Sequence, residues 1–346
     1  GGRRARFGPR AWQAAAAGAL IGANVPVRLI GVLVVIPFGL YLILAGADWR
    51  NGAWRRQMII RLGAGIAGFA VLFGGYVGAY RVLSGHWGLS GADSSLLYSR
   101  AATVADCPKL HLNKWVAQEC PHIPRAKRPG VDQYAHGHLD RNVVVPPGSS
   151  KKSLRFQFGL RVLQTQPLDM VEAAAKDFAK GFAWTRTQSP HDVPLNRWQF
   201  QLHYRRWSGD PTRAITQEFD HTDPRVIKPL ARFLRSYQLH GGYTPGTLLG
   251  VAGLVGIAGM FRRDGRLRAE SMLTVGIGLV LVGGAAGFEF SWRYQLPGLV
   301  FFPLAGAIGL TALGGGRVRS REATPEGSFG TRGEAADDDH ETVAGG

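Results

Sequence analysis

Long apolar runs bounded by arginine clusters occupy both ends of the chain, and a polar stretch fills its middle. A helix crossing about 30 Å of hydrocarbon needs roughly 20 mostly apolar residues. Five segments approach that length: 29–47, 58–82, 244–261, 272–287 and 297–314. Pro37 lies inside the first, which a membrane helix accommodates with a kink. Arg61 and Arg81 lie near the ends of the second, where long side chains snorkel toward water. Thr244 reads as the N-cap of the third and Pro245 as its first helical residue. A sixth stretch, 11–25, is short for a crossing. It reads as a half-helix, an interfacial helix or part of a longer one. A signal-peptide core is disfavoured, because a second apolar run follows Pro26 with no clean cleavage site between.

In the middle, 167–184 reads as an amphipathic helix with Leu168, Val171, Ala175, Phe178 and Phe182 on one face. The stretch 224–239 reads as a second, carrying Ile227, Leu230, Phe233, Leu234 and Tyr237, and it leads into the third apolar run. Trp198, Phe200, Leu202 and Tyr204 alternate, which predicts a short strand. Pro, Gly, His and Lys crowd 107–152 and predict long loops. The expected fold is mainly α: a multi-pass helical membrane protein with five spans and one short N-terminal helix. A mixed, mostly helical extracytoplasmic domain is inserted between the spans. The boundaries are 1–84 for the first membrane region, 85–243 for the outer domain, 244–316 for the second membrane region and 317–346 for a disordered cytoplasmic tail.

Charge sharpens this picture. Lys plus Arg total 41 against 24 Asp plus Glu, a net charge of +17 over 346 residues. Many arginines flank apolar runs, so the basic balance points to membrane topology and not to nucleic acid. Clusters precede residue 11, lie between the first two spans (Arg50, Arg55, Arg56), follow the third (Arg262, Arg263, Arg266, Arg268) and follow the last (Arg317, Arg319, Arg321). If short basic loops face the cytoplasm, all four agree on one orientation provided 11–25 crosses. The expected location is the plasma membrane, with 85–243 and the turn 288–296 outside.

Cys107 and Cys120 are the only cysteines. In an extracytoplasmic domain an even pair reads as one disulfide. A zinc site with His111 and His122 is the competitor, but Cys-x3-His-x8-Cys-x-His is not a common ligand spacing. His136 and His138 form a His-Gly-His in a loop. No phosphate-binding glycine loop, G-x-S-x-G, H-E-x-x-H or C-x-x-C occurs. No cofactor is expected in this chain, and a divalent metal stays open. Candidate chemistry then falls to polar residues at the outer membrane edge: Glu289, Arg293 and Tyr294 in one turn, Arg28 in another, and Asp93, Arg100 and Asp106 after the second span. Charges at that depth are costly unless paired or facing a polar cavity. Arginine holds a phosphate through two parallel hydrogen bonds. The plain alternative is a structural Arg293–Glu289 ion pair within an aromatic belt, with Arg28 a helix-end anchor.

The outer turn and the run that follows, RYQLPGLVFFPLAG, resemble the closing segment of polyprenyl-phosphate-dependent glycosyltransferases of the GT-C superfamily. NVPVRLIGVLVVIPFGLYLIL is similar to their middle region. LLYSRAATVADC, ECP, QPLDMVEAAAKDF and YTPGTLL are similar to actinobacterial members, over 25–320. The resemblance implies sugar transfer from a polyprenyl-phosphate donor to a cell-envelope or protein acceptor on the outer face. It implies lipid-phosphate contact by Arg293 and Tyr294, helped by Arg28. Such enzymes carry their catalytic acid in the first outer loop, and no comparable acidic loop precedes Arg28. The chain therefore reads as the C-terminal part of a longer protein, supplying scaffold and phosphate contacts. Two rivals stand beside it. One is a non-enzymatic membrane protein whose outer domain binds envelope polymer or a protein. The other is a transporter, disfavoured by span centres nearly free of charge.

Overall fold

The computed structural model describes residues 8–47, 50–90, 93–136, 143–187, 192–193, 195–204, 211–240, 242–262 and 265–314, with the backbone alone for Asp93, Ser94, His136, Arg197 and Trp198. The proposed tail 317–346, His138 and the side chains of Asp93 and His136 therefore lie outside the described residues. Among the described residues there is no strand. The 198–204 alternation is a correction: Leu195–Trp198 forms a 3-10 turn and an irregular segment follows. A strand without a neighbour would leave its amides unpaired. Here Gln201 donates to the carbonyls of Asn196 and Gln199 instead, at 3.0 and 2.8 Å.

At the N-terminus, α1 (Ala11–Asn24) leads to a 3-10 turn, Leu29–Val34, and then α2 (Val35–Leu44). The first expected span is thus a shorter helix, Leu29–Leu44, that opens as 3-10 and continues as α. Pro37 sits in the first turn of α2, where its missing N–H costs little. Next comes α3 (Gly52–Ser84), opened by the Asn51 side chain accepting from Ala53 and Trp54 and closed by Gly85 at φ 75°. It runs about 50 Å at 1.5 Å per residue. Helices α1 and α3 pack backbone to backbone: a Cβ on Gly18 would strike the Gly65 carbonyl, and one on Gly68 the Ala15 carbonyl. Arg61 is 9% exposed and covered by Gly8, so it does not snorkel to water.

The expected outer domain is built on α4 (Asp93–Val104), α5 (Val131–His136), α6 (Lys151–Thr165) and α7 (Pro167–Lys180). Its core joins Tyr98, Phe158 and Tyr134 edge to edge, with Leu110, Leu154, Val162 and Met170 around them. On α7, Leu168, Val171 and Ala175 are exposed and Met170 points inward, so the expected apolar face is rotated in its first turns. Two shorter helices follow, α8 (Pro211–Phe219) and α9 (Lys228–Leu239).

Helix α10 (Gly246–Gly259) starts one residue past Pro245, which is its N-cap. Thr244 does not cap it. Instead the Gly246 amide donates to the Ala183 carbonyl at 3.0 Å and the Thr247 hydroxyl to Phe182 at 2.9 Å, so the segment after α7 satisfies the helix start. Helices α11 (Gly265–Phe288) and α12 (Leu296–Leu313) pack with α10 around Phe302. Among the described residues, three helices are long and apolar enough to cross a membrane: Gly52–Ser84, Gly265–Phe288 and Trp292–Leu313. Leu29–Leu44 and Gly246–Gly259 are shorter apolar helices. Only 11% of the apolar window of α3 is buried, which leaves a surface suited to lipid and not to water.

Candidate site at the outer turn

The link from α11 to α12 is short, and the fold fixes it from below. The last carbonyls of α11 need donors. Arg100, reaching from α4, supplies them: Nε donates to the Gly287 carbonyl at 3.2 Å and Nη2 to Ala286 at 2.8 Å. A cation at a helix C-terminus also opposes the helix dipole. Nη2 of Arg100 further meets Asp177 of α7 at 2.5 Å, in a pair whose side chains are 5% and 12% exposed. Lys180 binds the other Asp177 oxygen at 3.0 Å and Asp192 at 2.8 Å, and lies 5.3 Å from the Phe290 ring centroid. Burial opposes its charge, but the hydrogen bond to Asp192 and the charge of Asp177 prevail and raise its pKa. The Trp292 indole donates to the Thr187 carbonyl at 3.1 Å, and the Gln295 amide donates to Gly181. The Arg186 guanidinium lies 4.6 Å from the Tyr243 centroid and 5.9 Å from that of Trp292. Burial pushes its pKa down, with Tyr243 opposing.

On this support stand the four residues singled out from the sequence, and they meet. Nη2 of Arg293 donates to the Tyr294 hydroxyl at 3.0 Å, and that hydroxyl donates to Glu289 Oε2 at 3.4 Å. The Arg293 Cζ lies 4.9 Å from the Tyr294 ring centroid, and the Arg28 Cζ lies 5.0 Å from it. Tyrosine is therefore the hub through which Arg28, from the other end of the chain, reaches Arg293 and Glu289. Arg28 and Arg293 are exposed, while Tyr294 and Glu289 are half-buried. Arg28 meets no carboxylate among the described residues. A crevice beneath, lined by Asp177, Glu289, Phe290, Ser291 and Tyr294, holds only ≈ 10 Å³. That is room for about one water.

Asp177, Lys180 and Arg186 were not among the sequence candidates. Asp106 lies elsewhere, paired with Lys109 at 2.7 Å. Cys107 and Cys120 are bonded to each other, with Cα atoms 6.3 Å apart. No group of three or more metal-ligating side chains occurs among the described residues. Beside the disulfide, a cleft of ≈ 440 Å³ is lined by Asp106, Pro121, His122, Pro124, Arg125 and Arg128. Arg128 is buried there on the carbonyls of Ile123, Ala102 and Ala105, at 3.0, 3.1 and 2.7 Å. Comparison with protein-family models, curated proteins and solved structures finds no match.

Proposed function

We propose that the chain is a multi-pass plasma-membrane protein that holds the phosphate of a membrane lipid between Arg28 and Arg293. The basic clusters at 50–56, 262–268 and 317–321 support the orientation that puts 85–243 and the 288–296 turn outside, and the N-terminal cluster joins them where 11–25 also crosses. The observation that carries the proposal is the convergence of two guanidinium groups, 265 positions apart in the chain, within 5.0 Å of one tyrosine ring. Each guanidinium is held against the same ring, which places both within reach of one anionic headgroup. Phosphate suits the pair, because each guanidinium offers two parallel N–H groups.

A polyprenyl-phosphate-linked sugar is the donor this reading favours. When such a sugar departs, charge builds on the lipid phosphate, and the two cations stabilise it. The nearby carboxylates are engaged: Glu289 by Tyr294, and Asp177 by Arg100 and Lys180. The residues of this site therefore supply phosphate contacts and scaffold for sugar transfer, not its general base. In nanodiscs, the protein should retain a polyprenyl monophosphate over an uncharged polyprenol. Arg28→Ala and Arg293→Ala should each weaken binding about tenfold, the equivalent of about 1.4 kcal/mol. Retention unchanged in the double variant would sink the reading. Competition by inorganic phosphate separates a headgroup site from a lipid site.

The cleft beside the disulfide favours a second reading, in which the outer domain binds an acidic envelope polymer. Arg125→Ala with His122→Ala should then abolish binding of an acidic oligosaccharide, and Arg293→Ala should leave it intact.

A further inference from the structure

Helices α8 and α9 differ from every other helix of the outer domain. Neither makes extensive contact with another helix among the described residues. They have 9 and 12 residues. Helices shorter than about 12–15 residues are marginal in water without a packed apolar face. Both have such a face, and both turn it outward. Ile215 and Phe219 on α8, and Ile227, Leu230, Phe233 and Tyr237 along α9, are 51–77% exposed. The spacing on α9 is three, three and four residues, a continuous stripe along one side. One other side is tied to the 199–200 segment. The Gln238 side chain accepts from the Phe200 amide at 3.0 Å, and Arg235 donates to Phe200 and Gln199 at 3.4 and 3.2 Å. On α8, Arg213 and Gln217 both hold Asp223 at 3.0 Å, tying that helix to the segment that leads into α9.

Two features say what covers the stripe. Six residues separate Leu239 from Gly246, where the chain enters the apolar bundle of α10, α11 and α12. Six residues reach at most about 20 Å, so α9 cannot stand far from the membrane edge. In addition, α9 carries Lys228, Arg232 and Arg235 and no acid. An apolar stripe with basic residues around it is the pattern of a helix lying in the headgroup region of an anionic leaflet.

We propose that α8 and α9 form an interfacial anchor, with the Ile227–Leu230–Phe233–Tyr237 stripe and Ile215 and Phe219 sunk into the outer leaflet. The anchor holds the outer domain against the membrane on its C-terminal side. On its N-terminal side, α3 ends nine residues before α4 begins. The domain is thereby fastened at both ends of its chain. The inference rests on the membrane reading of α10, α11 and α12, and the test separates the two.

Because Cys107 and Cys120 are bonded to each other, a single introduced cysteine is the only free thiol to label. Nitroxide labels are placed at Leu230→Cys, Phe233→Cys, Arg232→Cys and, as a span control, Val300→Cys on α12. The full chain is placed in nanodiscs of phosphatidylglycerol and phosphatidylcholine. Collision with dissolved oxygen reports lipid, and collision with a water-soluble nickel chelate reports water. Labels at 230 and 233 should favour oxygen several-fold over the label at 232, as the label at 300 does. Nickel contact at 230 and 233 with oxygen contact at 300 would overturn the anchor and leave the membrane reading standing. Nickel contact at 300 would overturn both. Protection of 230 and 233 from both probes would mean that protein, such as a second copy, covers the stripe, and would also overturn the anchor.

Discussion

Helices α10–α12 and helices α4–α7 each bury a core, by opposite means. Between α10, α11 and α12 the closest approaches are made by glycine. A Cβ on Gly259 would lie 2.7 Å from the Gly309 Cα, and one on Gly256 would lie 2.7 Å from the Val275 side chain and 2.8 Å from Ala305. One hydroxyl, Ser271, donates to the Gly256 carbonyl at 2.6 Å, and Phe302 fills the centre. Large apolar residues such as Leu254, Val300 and Leu310 face outward. Helices α4–α7 and the turns between them bury large side chains, Tyr98, Phe158 and Leu110, and also the charges of Arg100, Glu119 and Arg128. Lipid tails are as apolar as leucine, so burying leucine between membrane helices gains little and close backbone packing decides. In water the transfer of apolar surface decides, and a charge is buried only when hydrogen-bonded or paired.

The comparison breaks most sharply at its joint. Arg100 ties α4 of the outer domain to Asp177 and to the last carbonyls of α11. Arg100→Ala leaves those carbonyls without donors and removes half the charge around Asp177. A loss of about 3–5 kcal/mol is expected for removing one partner of a buried pair. Thermal unfolding in detergent, followed by tryptophan fluorescence, measures it. A loss near that of a surface pair, at most about 1 kcal/mol, would mean that the two regions are joined by packing and not by this cation.

The next test is inside the α10–α12 bundle. Gly309→Leu drives a side chain into the backbone of α10 at Val255 and Gly256. Overpacking of this kind costs about 1–3 kcal/mol. Gly78→Leu on α3 meets nothing within 4 Å and should change stability by about 0.5 kcal/mol or less. Steric-trapping or denaturant measurements in bicelles read both. Equal effects at the two positions would mean that glycine packing does not hold α10–α12 together.

Much of this was legible, because apolar length and arginine placement act locally. The C-terminal end of α11 and both ends of α12 lie within one residue of their apolar runs, although α11 starts seven residues earlier than its run, and Arg28, Glu289, Arg293 and Tyr294 stood out as polar groups beside them. Their meeting at one ring was not legible, since it depends on α11 running beside the segment that opens at Leu29. Arg100 was noticed, but its partner Asp177 lies 77 positions away on α7, and no periodicity links them. Proline misled once: Pro37 lies in the first turn of α2 and not in the interior of a long α-helix, whereas Pro245 marks the start of α10 to within one residue. The alternation at 198–204 misled because a strand needs a neighbour, and here none is supplied. Helix α8 went unseen, since nine residues with two apolar positions give a weak periodic signal.

The mildest test uses protons. Helices α10 and α12 contain no titratable side chain, so pH should leave their mutual packing unchanged. The outer domain has buried Glu119, with a side chain only 2% exposed and Arg155 at 3.5 Å. Burial raises its pKa above the ordinary 4.5, and the charges of Arg155 and Lys151 reduce the rise without reversing it. The folded state therefore holds this proton more tightly than the unfolded chain. Its contribution is fully present below the ordinary glutamate value and is lost as pH rises through the folded value. Glu119→Gln should then be more stable than the parent at neutral pH, with the difference fading toward about pH 4. Melting curves of both proteins across that range read the sign directly. A Gln variant less stable at neutral pH would show that the pairing with Arg155 outweighs burial. The outer domain would then bury its charges at a net gain, and its contrast with the glycine-packed helices would widen.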